Sequence, residues 1–87
     1  MYVVVVYDTL AERNPKILRT CRKYLHHVQR SVFEGHLSDA QLRRFHSNVE
    51  DVLDLSYDSV LVYTFPPGAI PQRLEWGAVE PVPSDIL

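Results

Sequence analysis

One unbroken apolar run ending in a single carboxylate decides the fold: Tyr2-Val3-Val4-Val5-Val6-Tyr7-Asp8. Its β-branched residues favour a strand, and the lack of polar alternation is typical of a strand buried on both faces. Ligands of α/β sheets usually lie just beyond the carboxyl end of a strand. Asp8 is therefore a candidate functional residue, although an aspartate in this position is also typical of a turn that bonds its own backbone.

The size and composition of the chain indicate one small globular domain, residues 1–87. A domain of 87 residues buries a modest fraction of its surface, so oligomerisation would add to its stability. No apolar run approaches the roughly 20 residues that cross a bilayer, and no basic segment precedes the first run. We therefore expect a cytoplasmic protein without a membrane partner. The single cysteine excludes an intrachain disulfide and fits a reducing compartment.

Charge is divided unevenly along the chain, whose net charge is −2. Residues 1–46 contain eight Lys/Arg and four Asp/Glu, a net charge of +4, whereas residues 47–87 contain one and seven, a net charge of −6. Such asymmetry predicts an anionic partner for one surface, although solvated helix faces produce the same pattern.

The segment after Asp8 predicts an amphipathic helix, with Asn14 as its N-cap and Pro15 at its first position. Its apolar face is formed by Ile17, Leu18, Cys21, Tyr24, Leu25 and Val28. Its outer face is formed by Lys16, Arg19, Arg22, Lys23 and His26. The cysteine on the apolar face is expected to be a small core residue and not a nucleophile.

Residues 28–37 predict an extended segment, either one bent strand or two short ones, with Gly35 at a bulge or turn. A second helix follows from a capping box. The Ser38 hydroxyl can accept from the N–H of Gln41, whose side chain reaches back to Ser38. Helical spacing of apolar residues continues this helix to residues 53–55.

Residues 58–65 predict another apolar strand, which Pro-Pro-Gly ends at 66–68. In the proline-rich segment 66–87, a short edge strand is expected at 72–78, where it could pair with another protomer. Two helices on one face of a small antiparallel sheet give an α+β, ferredoxin-like βαββαβ sandwich with this additional C-terminal edge strand.

Three motifs in the expected order carry a resemblance to a known family: Tyr7-Asp8, Val28-Gln29-x-Ser31-Val32-Phe33-Glu34-Gly35 and Asp58-Ser59-Val60-x-x-Tyr63. The chain resembles the smaller of the two universal CRISPR-associated adaptation proteins, often described as CRISPR-associated endoribonucleases. The resemblance runs from residue 1 to about residue 65, and segments 74–77 and 84–87 also look like family members.

The resemblance implies a homodimer in which two sheets pack face to face and the C-terminal strand, residues 73–76, crosses to the partner. In such dimers Asp8 would meet its symmetry mate, so that one Mg²⁺ or Mn²⁺ ion is shared between two protomers. One carboxylate alone is a poor magnesium site, whereas two carboxylates and waters are a plausible one. The implied reaction is metal-dependent phosphodiester hydrolysis.

Further site residues follow from the same resemblance. Tyr7, Ser31 and Phe33 would line the site, although the two aromatic residues are more often core residues. The residues expected to hold a nucleic-acid backbone are Arg13, Lys16, Arg19 and Arg30.

The chain departs from the family pattern at three places. Asn14-Pro15 stands where members often have basic residues, Leu25 where many have glycine, and Leu61 where many have arginine. Fewer cations near the site weaken the expectation of nuclease activity. The histidines lack a recurrent ligand spacing and predict no metal cluster.

Two functions are expected from the family resemblance. The first is a structural role in CRISPR adaptation, in which the dimer bridges copies of the larger integrase and supports duplex DNA. The second is a metal-dependent endonuclease acting on single-stranded RNA or duplex DNA through paired Asp8 residues. A toxin-type ribonuclease of similar fold is a more distant alternative.

Overall fold

Four strands and two helices follow in the order βαββαβ along residues 1–77, the part of the chain that the computed structural model describes. The elements are β1 (Tyr2–Asp8), α1 (Asn14–Arg22), β2 (His26–Gln29), β3 (Val32–His36), α2 (Asp39–Glu50) and β4 (Ser59–Phe65). The predicted α+β order is confirmed. Of the two alternatives for residues 28–37, the structure has two strands.

The four strands form one antiparallel sheet in the order β2–β3–β1–β4, which is the ferredoxin-like arrangement. β1 is a central strand, in which Val5 lies opposite Phe33 of β3 and Val62 of β4. The carboxyl end of β1 therefore lies between the first residues of β3 and β4, where the loop after β1 meets the connections that precede these two strands.

Both helices pack on the same face of this sheet. The buried core between them is formed by Val3, Val5, Tyr7, Ile17, Cys21, Leu25, Phe33, Leu37, Phe45 and Val49. On the other face of β1, Val4 and Val6 are only half-buried. The prediction that β1 is buried on both faces is therefore wrong for the single chain, because neither helix covers the second face.

α1 is shorter than its sequence pattern predicts. It begins at Asn14, with Arg13 in the N-cap position and no side-chain cap, and it ends at Arg22. The predicted N-cap at Asn14 and the extension to Val28 are therefore wrong. The chain turns after the helix. Leu25 lies beyond the end of α1 but is buried in the same core, so apolar residues at helical spacing do not have to belong to a helix.

Gly35 has a packing role within β3. A Cβ atom there would lie 3.2 Å from Cδ2 of Leu25, so the missing side chain makes room for that leucine. The predicted bulge or turn at Gly35 is wrong, since the residue pairs with Val3 in a regular ladder. The irregularity lies in β2, and the turn into β3 contains Arg30 at a φ of +42°.

The capping box of α2 is confirmed. The Gln41 N–H donates to Oγ of Ser38 at 3.1 Å, and the Ser38 N–H donates to Oε1 of Gln41 at 2.8 Å. The helix ends at Glu50, before the predicted residues 53–55, although Leu53 still packs against the core.

The segment after β4 forms no strand within residues 66–77 of the single chain. Arg73 ties it to the sheet by an ion pair with Glu34 of β3. Pairing of residues 72–78 with a second protomer stays a prediction, and residues 78–87 lie outside the described part of the chain.

We predict that the Cys21 thiol is unreactive in the folded protein. Burial raises its pKa to about 12, so almost no nucleophilic thiolate exists at pH 7 to 8. A disulfide reagent such as dithionitrobenzoate should leave Cys21 unmodified under native conditions and react with one thiol per chain in denaturant. Rapid native modification would show that Cys21 is not held in the core.

Candidate functional site

Asp8 is an exposed carboxylate at the end of the central strand. It is the last residue of β1 and pairs in register with Ser59, the first residue of β4. Because side chains alternate along a strand, Asp8 points to the face opposite the buried Tyr7. It therefore lies on the sheet face that the helices leave open.

Three connections meet at this end of the sheet. The Tyr7 N–H donates to the carbonyl of Ser31 at 3.2 Å, which places the turn between β2 and β3 beside the end of β1. The Leu10 N–H donates to Oδ1 of Asp58 at 3.2 Å, which joins the loop after β1 to the loop before β4. Asp8 is thus surrounded by loops whose backbones are fixed.

The two predicted site-lining aromatic residues lie in the core. Tyr7 and Phe33 are buried and stack with their ring centroids 6.1 Å apart, on the helix side of the sheet. Burial raises the pKa of the Tyr7 hydroxyl, so the phenol is neutral at pH 7. Within the single chain these rings position the backbone near Asp8 but do not line its carboxylate. Ser31 is half-buried and contacts β1 through its carbonyl.

Arg13 forms an ion pair with a buried carboxylate. Its Nε donates to Oδ2 of Asp58 at 2.6 Å and its second terminal nitrogen donates to Oδ1 at 2.9 Å. The Asp58 side chain is fully buried, and 19% of the Arg13 side chain is exposed. The structure therefore shows Arg13 holding the loops together. The other predicted phosphate contacts lie at the surface.

The sequence assigns Asp58 only to a strand and a family motif, and does not indicate that this residue holds the loops around the candidate site. Its carboxylate also accepts the Asp54 N–H at 2.9 Å. The Arg13 guanidinium, followed by the backbone N–H groups of Asp54 and Leu10, holds the pKa of Asp58 well below its usual range. A polar residue at the start of an apolar strand was the only local signal.

The remaining predicted nucleic-acid contacts are exposed. Lys16 and Arg19 lie on the outer side of α1, and Arg30 lies in the turn next to the end of β1. Of these three cations, Arg30 alone lies in the turn between β2 and β3, which contacts β1 beside Asp8. Cations at such positions can hold phosphates without reading base sequence.

A family model described as CRISPR associated protein Cas2 matches residues 1–70. The chain belongs to the Cas2 family. A protein of Frankia alni named CRISPR-associated endoribonuclease Cas2 is 68% identical over 63 residues, or 72% of each chain. One of the same name from Thermococcus kodakarensis is 34% identical over 87 residues, the whole of both chains.

A solved Cas2 crystal structure also matches this fold, with a TM-score of 0.80 and 38% identity over 94% of this chain and 93% of the other. The family resemblance and the ferredoxin-like fold inferred from sequence are therefore confirmed. Neither described helix of this Cas2 chain has the length and apolarity needed to cross a bilayer.

Asp8 is the metal ligand that the family resemblance predicts. Within residues 1–77, no three His, Cys, Asp or Glu side chains are arranged to hold an ion. Of the histidines, His27 stacks on Phe33 and His46 pairs with Glu50. The hard oxygen donors of Asp8 suit Mg²⁺ or Mn²⁺, but a single carboxylate supplies too few of them.

We predict that the Arg13–Asp58 pair makes stability depend on pH below about 4. A carboxylate whose folded pKa lies below its unfolded value, about 3.9, contributes stability that is complete above that value. The contribution is lost as pH falls toward the folded pKa. Asp58→Asn should lower the Tm by roughly 10 °C or more at pH 7, because it removes the buried partner of Arg13 and leaves only the exposed Glu12 beside it.

Thermal unfolding of both proteins between pH 7 and pH 2 tests this prediction. The difference in Tm should be constant down to about pH 4 and shrink below it. The exposed Asp51→Asn variant is the control and should follow the wild type. A difference that grows on acidification would contradict the assigned pKa direction.

Proposed function

We propose that this chain acts as a homodimer in CRISPR adaptation, holding nucleic acid and supporting the larger integrase, and that its paired Asp8 residues bind one divalent metal. The observation that carries this proposal is the open sheet face with Asp8 at its end. On that face Leu61 and Tyr63 of β4 are 54% and 53% exposed. A second copy is the occupant that would both cover these residues and bring a second Asp8.

Within residues 1–77, β4 is an edge strand of the sheet, which supports strand exchange between the two copies. A groove of about 550 Å³ runs between α2 and β4 and is lined by apolar residues that include Leu53, Val60 and Val62. In the single chain, Leu74 and Trp76 are 63% and 84% exposed. A partner's strand pairing with β4 would place alternate apolar side chains over this groove.

We predict that dimerisation buries Trp76, the only tryptophan of the chain. Its fluorescence maximum should move to shorter wavelength as protein concentration rises, in parallel with the dimer fraction in sedimentation. Tyr63→Glu should weaken the dimer by more than about 100-fold, because it buries an unpaired carboxylate in the interface.

Ser47→Glu is the control for this experiment, since it adds the same charge to the exposed side of α2. It should dimerise like the wild type. A wild-type monomer at all concentrations, or a dimer that tolerates Tyr63→Glu, would contradict the face-to-face arrangement.

Asp8 would be the metal-holding group of the dimer. When bound, the ion would supply charge neutralisation at the scissile phosphate and a lowered pKa for its bound water. The chain's own part is to hold each Asp8 on a central strand whose end is fixed by hydrogen bonds to both neighbouring loops. Lys16, Arg19 and Arg30 would contact flanking phosphates and so orient the strand to be cut.

The names of the relatives favour cleavage as a second role of the same dimer. The Frankia alni and Thermococcus kodakarensis relatives are both named endoribonucleases. A stand-alone endonuclease would depend on the paired Asp8 carboxylates of the dimer. A scaffold for the integrase and duplex DNA would depend on the dimer and its basic surface but not on these carboxylates. The two roles therefore respond differently to the loss of one carboxylate.

We predict that Asp8→Asn lowers cleavage of RNA or duplex DNA by more than about 100-fold in the presence of Mg²⁺ or Mn²⁺, because metal catalysis supplies several kcal/mol. The amide keeps the shape of the side chain, and the residue is exposed, so the fold and the dimer should persist. Asp51→Asn, which removes another exposed carboxylate, is the control and should cleave like the wild type.

Equal cleavage by the wild type and Asp8→Asn would contradict the Asp8 site. A spacer-acquisition assay with the same variant separates the two roles. Retained acquisition with lost cleavage would assign the adaptation role to the scaffold.

A further inference from the structure

Three exposed apolar side chains flank the hydrogen bonds of the Asp58 carboxylate. Leu10, Leu55 and Tyr57 are 45%, 75% and 72% exposed. The amide of Leu10 donates to this carboxylate, and Tyr57 directly precedes it in the chain. Leu55 lines the groove between α2 and β4, whereas Tyr57 does not. Tyr57 is thus a large aromatic side chain near the end of β1 that neither the core nor the groove uses.

We propose that Tyr57 is a stacking platform for an unpaired nucleobase of a single-stranded substrate whose phosphate lies at Asp8. Asp8 is in register with Ser59, and Tyr57 precedes Ser59 by two residues, at most about 7 Å of chain. The ring therefore lies within reach of a base next to that phosphate. This inference rests on the proposed function and names single-stranded nucleic acid as its substrate class.

The loop that carries Tyr57 is held in place before any ligand binds. The Tyr57 N–H donates to the Asp54 carbonyl at 3.0 Å, and the Asp58 N–H donates to the same carbonyl at 2.8 Å. The Ser56 N–H donates to Oδ1 of Asp54 at 2.9 Å. A ring on a fixed turn loses little freedom when a base stacks on it, which favours binding.

Two carboxylates lie near Tyr57 besides Asp58. They belong to Asp8, in register with Ser59, and to Asp54, whose Oδ1 accepts the Ser56 N–H in the same turn. The buried Asp58 carboxylate is paired with the Arg13 guanidinium, so its charge is compensated. Arg30 lies on the neighbouring turn and can contact a flanking phosphate. A base inside a duplex already stacks on both neighbours, whereas an unpaired base has a free face for an aromatic ring. The platform therefore favours single strands over duplexes.

Binding without catalysis tests the proposal. Fluorescence polarisation of a short labelled single-stranded RNA is measured in EDTA with the full chain and with Tyr57→Ala, Tyr57→Phe and Ser56→Ala. Tyr57→Ala should bind about 10-fold more weakly, since it removes one stacking contact. Tyr57→Phe keeps the ring, and Ser56→Ala changes the same turn without touching the ring. Both should bind like the wild type, and duplex DNA should bind equally to all four proteins.

An RNA with abasic positions provides a second measurement. It should bind the wild type as weakly as Tyr57→Ala binds the normal strand, with no further loss when both changes are combined. The proposal is overturned if folded Tyr57→Ala binds single-stranded RNA like the wild type. It is also overturned if the variant loses duplex binding equally, or if it changes the dimer in sedimentation, since Tyr57 would then be a protein contact. A wild type that binds no nucleic acid would overturn the proposed function as well.

Discussion

The Asp58 carboxylate is the interaction on which the arrangement of the candidate site depends. It is fully buried and accepts four hydrogen bonds, two from Arg13 and one from the backbone of each of two loops. Apolar packing has no directional preference and would allow these loops several positions. A buried carboxylate allows few, because each unmade hydrogen bond would leave a desolvated polar group. The end of β1 is therefore fixed by polar contacts, while the apolar core fixes the rest of the sheet.

This division explains which parts of the structure sequence could predict. The capping box at Ser38 and the β-branched run of β1 are local signals, and both elements form where their residues predict. Arg13 and Asp58 are 45 residues apart, and nothing within either segment indicates that they meet. The end of α1 was predicted incorrectly for a related reason. Leu25 is buried in the same core as the helix. The spacing of apolar residues indicates which residues are buried, but not whether the backbone there is helical.

The candidate site shows the same contrast between residues and their surroundings. Asp8 could be proposed from sequence because it ends an apolar run, and the structure shows that it is exposed. The aromatic residues around it could not be assigned from type alone, since a strand places neighbouring side chains on opposite faces. Tyr7 therefore belongs to the core while Asp8 belongs to the open face. The one-sided packing of β1 was also not predictable from its valines, which are equally suited to a helix layer and to a second sheet.

One-sided packing links the fold of this Cas2 chain to what it can do. This small domain leaves the apolar side chains on one face of its sheet half-exposed. A second copy that packed on this face would bury them and so add to the stability of the domain. The same face ends in a carboxylate that is too poor in donors to hold a metal alone. In the proposed dimer, the second copy would cover this face and bring the second Asp8 carboxylate at the same time. Asp8 and Tyr57 are exposed, and the loops next to them are fixed through Asp58, so these two side chains can change with little effect on the fold.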